Sequence, residues 1–277
     1  MPRRCAPSVA CVKGVLSLGG GIGISLFGVD GSGPRDLTAE FDANGFLEWR
    51  SWSPDGRRVA FLERSEDLGG PFLGDLYAVD VRSGSAERLT NTPEFQEDEA
   101  RWSPDGTRIA FGELGLRSDG RNGVFVLELA TGRTRRLADG FPAVWSPDGT
   151  VLGYSTAERA GEPAGVWVVD VDTGRTRRLA DGRWGEGEWS PDGSTIAYRT
   201  PDPRSTIALI DADGSGKPRI ITSEDFAGGP SWSPDGAHLV YSTGQGAAGR
   251  VVVADADGQE PRELVRGCCP DWGPADP

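Results

Sequence analysis

The side chains in this sequence best suited to chemistry are carboxylates. Glu97, Asp98 and Glu99 are consecutive, with Phe95 just before them and Arg101 just after. Glu48 with Arg50 forms a second group, and Trp184 with Glu186 a third. Clustered carboxylates can receive the cationic side chains of a basic peptide or protein segment. They can also hold a hard divalent cation such as calcium, or work in pairs about 5–10 Å apart as acid and base on a glycan. The first use is the one expected here, with no catalytic residue and no cofactor; calcium and a carboxylate-pair enzyme acting on glycans or peptides are the alternatives.

Several other chemistries are excluded. His238 is the single histidine, so multi-histidine metal sites cannot be assembled. Its place beside Leu239 and Val240 reads as a strand position. No Gly-x-Ser-x-Gly nucleophile turn is present. Gly214-Ser215-Gly216-Lys217 is followed by Pro218 where a phosphate loop needs Ser or Thr, and it reads as a turn. Lys and Arg total 29 against 42 Asp and Glu, a net charge of −13, which disfavours a nucleic-acid partner. No apolar run approaches the roughly 18 residues of a membrane-spanning helix, so no membrane insertion is expected. Lys13, Gly14 and Gly19–Gly21 interrupt the apolar stretch behind Arg3 and Arg4, so no leader is expected there.

These carboxylates recur at one place in a repeat. Trp-Ser-Pro-Asp-Gly starts at Trp52, Trp102, Trp145, Trp189 and Trp232, and a degenerate copy starts at Trp272. The tryptophans are 50, 43, 44, 43 and 40 residues apart, the period of one four-stranded propeller blade. Thr131–Gly140 and Thr173–Gly182 are identical decapeptides, an independent sign of the same period. Each unit reads as four strands. The first ends at the tryptophan, and Pro-Asp-Gly supplies a three-residue hairpin loop with glycine at positive φ. A second strand such as Arg58–Phe61 follows, then an apolar run ending in an acid, such as Leu76–Asp80 or Val166–Asp170. A second glycine turn leads to a short outer strand rich in arginine, which guards the sheet edge.

The expected architecture is therefore all-β: a six-bladed β-propeller with four antiparallel strands per blade. Residues 1–277 form one domain, expected to be a monomer. The last blade closes with strands from both termini, Ser8–Val12, Ile24–Asp30 and Pro34–Thr38 joining the strand that leads into Trp272. The hairpin register places the residue three before the tryptophan opposite the second-strand aromatic, as Trp49 opposite Phe61. The same positions in the closing blade are Cys269 and Cys11, so a Cys11–Cys269 disulfide is expected. Free thiols, or pairing through Cys5 or Cys268, remain alternatives. The six repeated tryptophans are expected to pack blades. The candidate partner-binding residues Glu48, Arg50, Phe95, Glu97, Asp98, Glu99, Arg101, Trp184 and Glu186 fall at the other end of the strands, on the long-loop face.

The pattern Trp-Ser-Pro-Asp-Gly-x-x-Ile/Val-Ala-Phe/Tyr, with its downstream Val-Asp-x-x-x-Gly and Arg-Leu-Thr, resembles the WD-like repeat of the TolB propeller family. The resemblance covers nearly the whole chain. It implies a non-catalytic platform for proteins or peptides, in the periplasm or secreted, with a cytoplasmic setting as the alternative. With the repeats expected to take up nearly the whole chain, the extra N-terminal α/β domain of the family's namesake is not expected here. The repeat is also similar to the propellers of prolyl-oligopeptidase-type peptidases and of oligogalacturonate lyases. Those enzymes require, respectively, a hydrolase domain and clustered histidines.

Overall fold

A computed structural model describes residues 13–16, 22–26, 35–38, 46–64, 74–91, 96–114, 122–158, 163–200, 205–222, 227–244 and 249–266. All regular structure among them is β-strand. The chain divides into two compact units after Leu137.

The first unit opens with a three-stranded antiparallel sheet, β1 (Lys13–Leu16), β2 (Ile22–Leu26) and β3 (Arg35–Asp36). Two four-stranded antiparallel sheets follow. One is β4 (Phe46–Trp52), β5 (Arg58–Arg64), β6 (Gly74–Asp80) and β7 (Ala86–Arg88). The other is β8 (Gln96–Trp102), β9 (Arg108–Leu114), β10 (Gly123–Glu128) and β11 (Arg133–Asp139). A lone parallel pair, Gly74 with Gln96, links them. The second unit holds three more four-stranded sheets. They are β12 (Phe141–Trp145) to β15 (Thr176–Asp181) through β13 (Val151–Thr156) and β14 (Gly165–Asp170); β16 (Arg183–Trp189) to β19 (Arg219–Ile220) through β17 (Thr195–Arg199) and β18 (Ile207–Asp211); and β20 (Gly228–Trp232) to β23 (Arg262–Arg266) through β21 (His238–Thr243) and β22 (Arg250–Asp255).

Five intact repeats thus give five four-stranded sheets. Trp272, Cys5, Cys11, Cys268 and Cys269 lie outside the described residues, as do Phe95 and Ser8–Val12. The strand that pairs with β2 is Lys13–Leu16, with Lys13 opposite Ser25 and Leu16 opposite Ile22.

The hairpin loop also differs. Trp52 pairs with Val59, and the Ser53 amide donates to the Arg58 carbonyl, so the loop holds four residues rather than three. The side chains of the repeat close it. Ser53 Oγ donates to Asp55 Oδ1 (2.6 Å) and accepts from the Arg58 amide (2.9 Å), while the Arg57 amide donates to Asp55 Oδ1 (3.0 Å). The loops at Ser103, Ser146, Ser190 and Ser233 repeat the Ser-to-Asp bond at 2.5–2.6 Å. Gly56, Gly106, Gly149, Gly193 and Gly236 all have φ between 66° and 72°, a region that L side chains avoid.

Burial follows the strand reading. In β6 and β14 the pattern is two buried residues and one half-buried, repeated, and β10 follows it up to an exposed Glu128, as expected for strands covered on both faces. Leu76, Ala78, Trp102, Ile109 and Leu127 form one core cluster of the first unit; Leu37, Val59, Phe61 and Val79 form another. In the second unit, Val166, Trp189, Ile196 and Tyr198 form one cluster and Trp232, Leu239, Tyr241 and Val252 a second. Trp102, Trp145, Trp189 and Trp232 are buried and Trp52 is half-buried. The Arg58 guanidinium lies 4.7 Å from the Trp102 ring centre, and Trp189 Nε1 donates to the Val144 carbonyl at 3.2 Å. These five tryptophans serve packing. His238 opens β21, exposed, with Nε2 3.8 Å from Asp255 Oδ1.

Candidate functional site

In every four-stranded sheet the first strand is bulged a few residues before its tryptophan. The register breaks between Glu48 and Ser51, Asp98 and Arg101, Phe141 and Val144, Arg183 and Glu188, and Gly228 and Ser231. The four-residue loop fixes the strand end nearest the tryptophan, and the bulge takes up the offset from the residues upstream. In β4 it is Trp49-Arg50 that stand opposite Phe61, two residues against one. The expected Trp49–Phe61 pairing is therefore half of a bulge rather than a plain cross-strand pair.

The bulges gather several of the candidate residues. Arg50 lies within the bulge of β4, Glu99 within that of β8, and Trp184 and Glu186 within that of β16. Glu48 and Asp98 are the last paired residues before their bulges. All lie at the strand end away from the Ser-Pro-Asp-Gly loops. Among these residues, the described side chains are those of Glu97, Glu99 and Arg101. Glu99 has φ 46°, a left-handed conformation that costs about 1–3 kcal/mol for a residue with a Cβ. Gly229 takes the same conformation (φ 56°) at the equivalent position, three before Trp232. Glu99 Oε2 lies 3.6 Å from Arg101 Nη2, and the Arg101 side chain is half exposed.

Glu97 has a different role. It is only 2% exposed, and its Oε2 accepts from the Leu76 amide (3.0 Å) and from Thr90 Oγ1 (2.8 Å). Thr90 Oγ1 in turn accepts from the Leu76 amide at 2.8 Å. The neighbouring Asp75 is held by the Arg88 guanidinium, which also donates to Asn91 Oδ1 at 2.9 Å. Across the sheet Glu97 pairs in register with Glu113, equally buried. Glu97 is thus enclosed in strand packing, with its Oε2 held by hydrogen bonds made inside the fold.

Sequence reasoning missed this network because its members are distant in the chain. The recurrence of Thr90 as Thr222 was the available signal: Thr222 Oγ1 accepts from the Ile207 amide (3.0 Å) at the equivalent position. The residue before a tryptophan also ties adjacent sheets together at two places. Ser51 Oγ accepts from the Trp102 amide (3.2 Å) and Glu188 Oε2 from the Trp232 amide (2.8 Å).

The repeated aspartates at the other end are turn residues. Asp55, Asp105, Asp148, Asp192 and Asp235 all titrate below the usual aspartate value, chiefly because a serine hydroxyl donates to the carboxylate and then because a backbone amide does. Among the described residues, no three His, Cys, Asp or Glu side chains form a metal-binding group.

The family described as TolB beta propeller domain matches residues 51–275. The chain belongs to that family. A Tol-Pal system protein TolB from Rhizorhabdus wittichii is 38% identical over 77 residues, 27% of this chain and 16% of that protein. The propeller also superposes on solved structures. TolB from Acinetobacter baumannii aligns with a TM-score of 0.61 and 22% identity, over 91% of this chain and 63% of that one. An oligogalacturonate lyase from Vibrio parahaemolyticus aligns with a TM-score of 0.68 and 15% identity, over 90% and 72%. The propeller thus spans under two thirds of the length of either TolB. At these identities the two structures speak for the fold, which serves a lyase as well as TolB.

Proposed function

We propose that this chain is a non-enzymatic propeller that binds a protein or peptide partner through the bulged ends of its first strands. The observation that carries the reading is the difference between the two ends of each sheet. One end is closed by identical loops whose serine and aspartate side chains satisfy one another. The other bears bulges that differ in every sheet and hold Arg50, Glu99, Trp184 and Glu186, flanked by Glu48, Asp98 and Arg101. Variable residues on a fixed scaffold are where recognition is built. The excess of carboxylates favours a basic segment as the guest.

The carboxylate-pair enzyme gains little support, because Glu97 is committed to Leu76 and Thr90. A sixth blade, made by β1–β3 with a strand ahead of Trp272, belongs to the same proposal and is supported by the count of tryptophan repeats. So do a monomeric state and a setting in the cell envelope or outside the cell, the latter supported by the family resemblance.

Calorimetry with a synthetic Lys- and Arg-rich decapeptide tests the binding role. Joint reversal of Glu48, Asp98 and Glu186 to Lys is expected to weaken binding at least about tenfold at moderate salt, with the fold intact by circular dichroism. An unchanged affinity sinks the proposal.

A further inference from the structure

The outer strands of two sheets carry a latch that β7 lacks. On β15, Arg177 Nη2 donates to the Ala212 carbonyl (2.8 Å) and Nη1 to that of Asp213, in the glycine turn after β18 of the next sheet. Two residues on, Leu179 covers that turn: a Cβ placed on Gly214 would lie 3.2 Å from Leu179 Cδ2 and 3.6 Å from Arg177 Cδ. On β19 the arrangement recurs. Arg219 Nη1 donates to the Asp257 carbonyl (2.5 Å), and Ile221 lies directly against Gly258. In both, an Arg-x-aliphatic triplet is set by strand register, Arg177 pairing with Val168 and Arg219 with Leu209; Arg262 stands at the same register opposite Val253. Arg135-Arg136-Leu137 supplies the triplet on β11.

β7 breaks the rule. Its residue at this position, paired with Ala78, is Glu87. The aliphatic partner Leu89 is retained, but no atom lies within 4 Å of the Cβ position of Gly132, the glycine of the facing turn. The seam is open there as a groove of about 480 Å³, lined by Arg88, Leu89, Thr90, Asn91, Gly132 and Thr134. Arg88 is paired with Asp75, just as Arg178 beside the intact latch is paired with Asp181. A neighbouring arginine is therefore compatible with a latch. Glu87 is exposed, and among the described residues no cation pairs with it.

We propose that this open seam is a docking site for an Arg-x-aliphatic segment of a partner polypeptide, whose guanidinium takes the place of the missing latch arginine. The recognition is the fold's own. The guest guanidinium donates to turn carbonyls, the aliphatic residue covers Gly132 beside Leu89, and the Glu87 carboxylate supplies the countercharge that Asp213 gives Arg177 in the latched seam. The site is separate from the bulged strand ends, and the two proposals stand or fall independently.

The probe is the acetylated, amidated pentapeptide Thr-Arg-Arg-Leu-Ala, a copy of residues 176–180, tested by calorimetry against versions with Gln or Lys at the first arginine. Binding by the wild type, at least about tenfold weaker for the Gln peptide, is expected. Glu87→Arg restores the latch from within, so it should abolish binding and raise the melting temperature while leaving the basic-decapeptide affinity intact. Glu87→Gln, which keeps the size of the side chain, should weaken binding several-fold and serves if Glu87→Arg fails to fold. Equal binding of the Gln or Lys peptide, or undiminished binding by both variants, overturns the proposal. So does concentration-dependent self-association that Glu87→Arg removes, which would assign the groove to a second copy of the chain.

Discussion

Thr90→Val tests whether Glu97 belongs to the fold rather than to a partner. Valine keeps the shape of threonine and removes the hydroxyl, which accepts from the Leu76 amide at 2.8 Å and donates to the Glu97 carboxylate at 2.8 Å. The Leu76 amide retains Glu97 Oε2 as a second acceptor at 3.0 Å, so the main loss is a buried hydrogen bond to a charged group. Such bonds contribute about 1.5–3 kcal/mol, and that is the expected destabilisation in urea titrations followed by tryptophan fluorescence. Residues sharing a network couple by about 0.5–3 kcal/mol, so a double-mutant cycle with Glu97→Gln should show at least about 1 kcal/mol of coupling. Thr222→Val is the internal control. It removes the acceptor of the Ile207 amide, should cost about 1 kcal/mol and should add independently to Glu97→Gln. A Thr90→Val loss below about 0.5 kcal/mol, within the range of neutral surface changes, or an additive cycle, would refute the network.

The repeated loops should make stability acid-sensitive. Hydrogen bonds from the serines and then the backbone hold the five loop aspartates below the usual value of 3.8. Their folded values lie below the unfolded ones, so the contribution is complete above about pH 4 and disappears as pH falls through the folded values. The urea midpoint should drop below pH 4, and Asp148→Asn should flatten that slope; a midpoint independent of pH down to 2.5 contradicts it. Gly236→Ala should cost about 1 kcal/mol from its φ of 70° alone, because the nearest side-chain atom to a new Cβ is 3.7 Å away. Gly258→Ala should cost at least about 2 kcal/mol, since the methyl group also meets Ile221. Equal losses would remove the close-contact argument. Peptide mapping under non-reducing conditions should recover Cys11 linked to Cys269, and free thiols at both would end that expectation.

The strand order was legible because each element carries its own local code. Val124–Glu128 and Ile207–Asp211 are apolar runs ending in an acid, and the structure makes them third strands with those ends. The loop was one residue longer than expected because closure depends on side chains as well as backbone. Ser53 and Asp55 bond across a four-residue span that Pro-Asp-Gly alone does not specify.

By itself the sequence determined the all-β class and the period of the repeat. Those properties follow from interactions between residues close in the chain, repeated often enough to be read. The tertiary structure alone decided which carboxylates are available. Glu97, Asp98 and Glu99 are neighbours in sequence, yet strand alternation and a bulge bury Glu97 against Leu76 and Thr90 and turn Glu99 toward Arg101. It also decided that Glu87 matters. An exposed glutamate on an edge strand carries no signal until sister strands place an arginine at the same register and Gly132 is found uncovered. Burial and register are set by partners from distant parts of the chain, and no window of sequence contains both sides of such a contact.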